Sequence, residues 1–490
     1  MTQQSRDPIV KGRSRLERLW PWALGLGAFL WVLFRSGTNP RRLAYPCQRA
    51  ALPLAGTWAL GTVAFFGAHL VGRRVARVSA IVAGAIAVVW IAAALWWPTR
   101  AKPAPDLDLP LWEVAQPVST VFVMEDIPAT SGSVAAGDSS VPDEHLTDPA
   151  IDTLFDMMKQ KGIYLHRTDA TPTGIVGADD VVIIKGNYQW KSRNTTSTDR
   201  VKGLIRQILN HPDGFTGEVL VCDNTQKIGT GINRRDNNSE HSRQSTVDVV
   251  DTFHAKGHPV YLIDWNYIWD TVVAEYSEGD ANDGYTYDES TMVSYPKFRT
   301  PSGEHYVSLK HGIWDPAAET YDSSRLSIIN FPVLKGHMSA GASIAVKNWI
   351  GVLTTAYMEE RYGTRQRMHY EYLLGEYALT ARVMEVTFPE LSIVDATWVN
   401  GYGPMGYLNW ARETRVLMAS TDPVAVSWYG AKHVLTPIAM YPDDTDPDHA
   451  GGRYNRFLGN WVKYLRDDAG LPCTTDPGEM SVYGEDLLRS

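Results

Sequence analysis

Residues 19–97 contain no aspartate or glutamate, and three apolar runs lie inside that stretch. The first, at 19–34 ("LWPWALGLGAFLWVLF"), is short for a bilayer core about 30 Å thick, which takes about 20 helical residues. The runs at 50–72 and 78–98 are long enough to span it. Trp20, Trp22, Trp96 and Trp97 stand at run ends, where indole rings favour the membrane interface. The pattern predicts a basic tail at 1–18 followed by a membrane region at 19–98 with two or three transmembrane helices. Three spans with the tail (Arg6, Lys11, Arg13, Arg15, Arg18) inside put the remainder of the chain outside the cytoplasm. A first run lying in the interface would instead leave it inside. The three-span reading is adopted, giving a cell-membrane protein with an extracytoplasmic body. Membrane transport fits poorly, because His69 is the only titratable group within the runs apart from flanking arginines.

The remaining chain is acidic, and the net charge over 490 residues is −9. That argues against a nucleic-acid binder, which relies on a positive field. The cysteines, Cys47, Cys222 and Cys473, show no C-x-x-C spacing, so neither an iron–sulfur cluster nor a cysteine-held zinc is expected. They could form one disulfide or remain buried thiols.

After a proline-rich linker at 99–118, short β-branched runs alternate with helix-like stretches. Strands are predicted at 119–124, 180–185, 218–223, 259–264, 325–335, 391–396 and 415–420, and helices at 200–210, 245–256 and 370–385. Such alternation predicts an α/β domain at 119–490, a mainly parallel sheet flanked by helices. The alternation fails at 265–324, an aromatic-rich insertion read as a cap or subdomain. Its Trp265, Tyr267, Trp269, Tyr285, Tyr287 and Trp314 could form an amphipathic binding surface or simply a core of their own.

In open α/β sheets ligands sit outside the carboxyl ends of the strands. Here those ends carry chemistry: Lys185 and Asn187, Asp223 and Asn224, Asp264 and Asn266, Lys335 and His337, Asp395 and Asn400, and Asp422. Any one Asp or Asn after a strand is most simply a turn or helix cap. Lysine is a poor turn former and avoids burial, yet Lys185 and Lys335 both end apolar runs. The segment "VLKGHMSAGASIAVKNWIGVL" at 333–353 reads as strand, turn and a helix starting near Ser339. That helix would aim free N–H groups at an anion beside Lys335 and His337, with Lys347 and Asn348 two turns along. An ordinary buried helix whose lysine snorkels to solvent is the plainer reading. Three other matches are weak. "GYGPMG" (401–406) has a proline inside the dinucleotide pattern, "GASIA" lacks the last glycine of a nucleophile elbow around Ser343, and "DDTDPDH" (443–449) lacks the glycine and glutamate of a calcium loop.

The segments "DDVVIIKGN", "FPVLKGHMSAGASIAVKNWIGVL", "VDATWVNGYGP" and "STDPVAVSWYGAKHVL", in this order, resemble the bacterial and archaeal family called domain of unknown function 362. The resemblance runs over 119–436 and is most specific from the K-x-H to the K-N. It carries marked polar positions onto Lys185, Asn187, Lys335, His337, Lys347, Asn348, Asp395 and Asp422. "RSGTNPRRLAYPCQRAA" also resembles a membrane-proximal segment of some members. Many relatives append ferredoxin-like cluster motifs, which this chain lacks.

Two functions are expected to compete. One is a membrane-tethered enzyme acting on an anionic or carbonyl-bearing small molecule. In it His337 moves a proton, Lys335 holds charge and Asp395 orients, with Lys185, Asn187, Lys347, Asn348, Asp223 and Asp422 binding the ligand. Asp223, Asp395 and Asp422 could together hold a hard divalent ion. The other is a non-catalytic protein whose crevice docks a ligand or a protein partner.

Overall fold

The computed structural model describes residues 26–31, 58, 62, 102–103, 105–128, 130, 132–134, 137–227, 231–234, 238–240, 244–354, 379–403 and 410–485. The chain divides into two compact units, Met1–Pro98 and Thr99–Ser490. In the first, residues 26–31 are helical. The Phe29 ring lies 5.3 Å from that of Trp58, whose carbonyl accepts a hydrogen bond from Thr62 Oγ1. Most of the three apolar runs, and Cys47, lie outside the described residues. Among the described residues no helix is long and apolar enough to cross a membrane.

The second unit opens with β1 (Ser119–Met124), α1 (Pro149–Gln160), β2 (Val181–Lys185), α2 (Thr198–Leu209), β3 (Glu218–Asp223), α3 (Thr246–Ala255) and β4 (Val260–Asp264). Five short strands follow: β5 (Gly284–Asp288), β6 (Val293–Arg299), β7 (Tyr306–Ser308), β8 (Gly312–Asp315) and β9 (Thr320–Asp322). Next come β10 (Leu326–Asn330), β11 (Val333–His337), β12 (Gly341–Ser343), α4 (Ala345–Asn348) and α5 (Leu379–Val386). The unit closes with β13 (Leu391–Asn400), β14 (Ala411–Ser420), α6 (Pro423–Tyr429), α7 (Arg453–Val462) and β15 (Met480–Tyr483).

The main path of the central sheet runs β15-β1-β14-β13-β10-β2-β3-β4. All neighbours on this path are parallel except where β14 runs against β13 and β1. Its inner strands are buried on both faces, which is why β2 ("VVIIK") and β3 ("EVLVCD") are apolar without alternation. Successive side chains still point to opposite faces. Val182, Ile184, Val219 and Val221 therefore pack on one side with α1, α2 and α3. Val181, Ile183 and Leu220 pack on the other with α5, α6 and α7. The first-face helices start where the sequence can cap them. Asp148 accepts from Ala150 N and Ile151 N ahead of α1, and Ser245 forms a reciprocal capping box with Asp248 ahead of α3.

The structure corrects three expectations. The single strand expected at 325–335 is two, because Pro332 has no N–H to give the ladder. The chain leaves β10 there and resumes as β11 alongside the later part of β13. No helix begins near Ser339. Residues 341–343 turn back as β12 and pair antiparallel with β11, with Lys335 opposite Ser343, and helix is delayed to the four-residue α4. The strands predicted at 391–396 and 415–420 belong to a long antiparallel pair, β13 and β14, whose register shifts between Ala396 and Trp398.

Strands β5 to β9 form a separate antiparallel meander in the order β9-β8-β7-β6-β5. Its aromatics make a core: Trp265, Trp269, Tyr285 and Tyr295 are buried, and Tyr295 and Tyr321 donate to the buried Glu275 carboxylate. Of the aromatics singled out for a binding surface, Tyr267 is the exposed one.

Candidate functional site

The carboxyl ends of β2 and β3 meet the β11–β12 hairpin and α4 around a narrow cleft. It encloses about 310 Å³ of empty space, the part open to solvent included. Its lining includes Lys185, Asn187, Asp223, Lys335, His337, Lys347 and Asn348, all named from the sequence. Segments more than a hundred residues apart thus deliver three lysines to one place, with Asp223 as the lining carboxylate.

The three ammonium groups are held very differently. Lys185, 1% exposed, pairs with Asp223 Oδ1 at 2.8 Å and donates to Gly186 O at 2.9 Å and Asn348 Oδ1 at 3.1 Å. Those acceptors use all three of its protons. Lys335 donates to Asn187 Oδ1 at 2.7 Å and to the Asn194 carbonyl, leaving one proton over. Lys347, 4% exposed, has neither a hydrogen-bond acceptor nor an ion-pair partner among the described residues. Burial lowers the pKa of all three. Asp223 opposes the shift for Lys185. Lys335 is pushed well down, with repulsion from Lys347 and Lys185 adding to burial. Burial and the Lys185 charge push Lys347 down to about 7.

Asn348 ties the cleft floor together. Its Oδ1 accepts from Lys185 and from Asn187 Nδ2 at 3.0 Å, while its Nδ2 donates to Lys185 O, Gly186 O and Asn330 Oδ1. Asp223 Oδ2 accepts from Tyr188 N at 2.8 Å. His337 Nδ1 accepts from Ser339 N and Ala340 N at 3.1 and 3.2 Å, so the neutral ring carries its proton on Nε2. An imidazolium would set an Nδ1 proton against two backbone N–H groups. His337 therefore carries on Nε2 the proton it could give.

Asp395 and Asp422 do not line the cleft. Asp395, fully buried in β13, accepts from Ser197 N at 2.8 Å and Thr397 N at 3.0 Å, and burial raises its pKa. It thereby anchors the 194–197 segment whose Asn194 carbonyl holds Lys335. Asp422 caps α6 through Val424 N and Ala425 N and accepts from Ser119 Oγ and Thr474 N, with burial raising it to about 6. The plain capping role of Asp after a strand wins here. The oxygen cage expected from Asp223, Asp395 and Asp422 accordingly does not form. Among the described residues no group of three or more His, Cys, Asp or Glu is arranged to hold a metal ion.

Gln189, Trp190, Thr225, Gln226, Ser343, Ile350 and Gly351 also line the cleft and were not singled out from the sequence as site residues. Thr225, Gln226 and Lys227 form a left-handed turn with φ of 43°, 51° and 51°. Such backbone costs non-glycine residues about 1 kcal/mol or more each, a β-branched threonine most of all. The polar run "NTQK" straight after a buried strand was the legible signal. A Cβ on Gly351 would lie 2.4 Å from both Asp223 Oδ1 and Lys185 Nζ, so glycine is what lets the ion pair sit against this backbone. Glycine likewise explains part of "GYGPMG": a Cβ on Gly403 would fall 2.0 Å from Gly336 O, where the loop after β13 lies on β11.

Residues 287–432 match the model of the family described as Domain of unknown function (DUF362). The match takes in β11, β12, α4 and β13, hence Lys335, His337, Lys347, Asn348 and Asp395, and stops short of Lys185 and Asp223. It is narrower than the 119–436 over which the motifs were read. Searches of curated proteins and of solved structures found no match.

Proposed function

We propose that the cleft binds a small anionic compound and that the protein acts on it as an acid–base enzyme, with Lys347 as the titrating group. One observation carries the reading: a buried lysine without an acceptor among the described residues shares a cleft with two further lysines and a single carboxylate. A buried cation normally has a partner. A ligand anion would supply one for Lys347 and would take the remaining proton of Lys335 as a charge-assisted bond. The narrowness of the cleft favours a small ligand. His337 would donate from Nε2, and the Lys185–Asp223–Asn348 network would keep the wall rigid. A non-catalytic ligand holder would use the same cleft and differ in showing no turnover. The acid-free stretch at 19–97 supports attachment of this unit to a cell membrane.

Calorimetric titration of the purified protein with inorganic phosphate and with pyruvate tests the reading. Saturable binding of either anion is expected, weakened about tenfold or more by Lys335→Met and by Lys347→Met. Absence of binding by either anion, or affinity unchanged in both variants, would remove the proposal.

A further inference from the structure

We propose that Lys347 is a nucleophile that captures the carbonyl carbon of a small 2-oxo acid as a covalent imine. This rests on the anion-binding reading above and adds to it a reaction and a substrate class.

The division of labour among the lysines carries the inference. Lys185 is saturated by Asp223 Oδ1, Gly186 O and Asn348 Oδ1, so its nitrogen is committed to the wall as a cation. Lys335 is fixed by Asn187 Oδ1 and the Asn194 carbonyl and keeps one proton for a carboxylate. Lys347 lines the same cleft from α4, buried, with no acceptor among the described residues to hold it as an ammonium. Desolvation beside a fixed cation is the arrangement that turns a lysine into a neutral amine near neutral pH. The repulsion from Lys185 and the displacement toward 7 agree with it. A plain anion would use only the charge of the cleft. A carbonyl carbon next to a carboxylate would use both lysines: the incoming carboxylate holds the third proton on Lys335 against the downward push of burial, and the carbonyl carbon takes the lone pair of Lys347.

The step balances without an oxidant or a metal. The Nζ lone pair attacks the carbonyl carbon, forming a C–N bond as the C=O π pair moves to oxygen. Proton transfer from nitrogen to that oxygen gives a carbinolamine. Its hydroxyl, protonated from solvent, leaves as water while nitrogen forms the C=N bond. Amine, oxo acid and one proton become a protonated imine and one water. The product restores a positive charge at Lys347, now beside the ligand carboxylate, so the cleft that disfavours an unpaired ammonium accommodates the paired iminium.

The test is reductive trapping on the full chain. Protein is incubated with pyruvate or glyoxylate and cyanoborohydride near pH 7.5, and the adduct is mapped by peptide mass spectrometry. Acetone serves as the uncharged carbonyl, and Lys347→Arg, Lys347→Met and Lys335→Met as variants. The proposal expects saturable modification at Lys347 by the oxo acids, at least tenfold less with acetone, none at position 347 in either Lys347 variant, and slower trapping in Lys335→Met. Modification confined to surface lysines, or equal trapping of acetone, overturns it. Titration of the same preparation with pyruvate separates the two claims. Binding without trapping leaves the anion site standing and removes the imine, whereas neither binding nor trapping removes both.

Discussion

Lys347 is destabilising in the folded chain and useful for that reason. Each pKa unit is worth about 1.4 kcal/mol, so the displacement of Lys347 from its ordinary value toward 7 stands for several kcal/mol set against a buried ammonium. Its folded pKa lies below the unfolded one, so between pH 7 and about 10.5 the unfolded chain binds the extra proton. Stability from this group is fully present above that window, falls as pH drops through it, and levels off below pH 7. Lys347→Met is accordingly expected to raise stability by about 1–3 kcal/mol at pH 6 and by little at pH 10. Urea melts of both proteins across that range measure it; a gain independent of pH would show that Lys347 is not buried as a strained base. The sequence disclosed that Lys347 and Lys335 are unusual, because lysine in an apolar, small-residue segment asks for a partner. It did not disclose which lysine lacks one. Partner count depends on a carbonyl at Asn194 and an amide at Asn187, more than a hundred residues upstream of both.

At the scale of elements the cleft is a junction of two turns and a hairpin, and each tolerates little change. Gly351→Ala would drive a methyl group into the Lys185–Asp223 pair. Separating a buried ion pair typically costs about 3–5 kcal/mol, so this single methyl is expected to lower the urea midpoint more than most surface changes and to abolish anion binding. The left-handed turn at 225–227 gives the opposite sign. Lys227 has φ of 51° and an exposed pairing with Asp270, and exposed pairs contribute little. Lys227→Gly should therefore stabilise the protein by about 1 kcal/mol, read from the same melts. Most sheet strands were legible because buried parallel strands are continuous runs of β-branched residues bounded by turns. The β11–β12 hairpin was not, since "GHMSAG" fits equally a helix start and a tight antiparallel return. Only pairing with a distant partner, β13, selects the return.

At the scale of the whole chain, every described residue that lines the cleft lies in the Thr99–Ser490 unit. A fragment spanning that unit is expected to fold alone and to bind anions within a factor of about two of the full chain, while the full chain alone sediments with membranes and needs detergent. Release of the full chain by salt or carbonate would count against the apolar runs as anchors. The α/β layering and the crowding of Lys185, Lys335, His337 and Lys347 at one rim could be read from residue order, because strand ends in such sheets share an edge. The exclusion of Asp395 and Asp422 from that rim could not, since an acid after a strand is written alike whether it faces a ligand or caps the next helix. Another feature lies one strand in from the β4 edge of the same sheet. Cys222 sits in β3, fully buried, its thiol pushed far up by burial and the adjacent Asp223. Only a thiolate alkylates readily. The rate at which iodoacetamide consumes Cys222 therefore times the opening of the β2–β3–β4 side of the sheet, a clock already built into the chain. Slower ticking when pyruvate is present would report how firmly an occupied cleft locks that side shut.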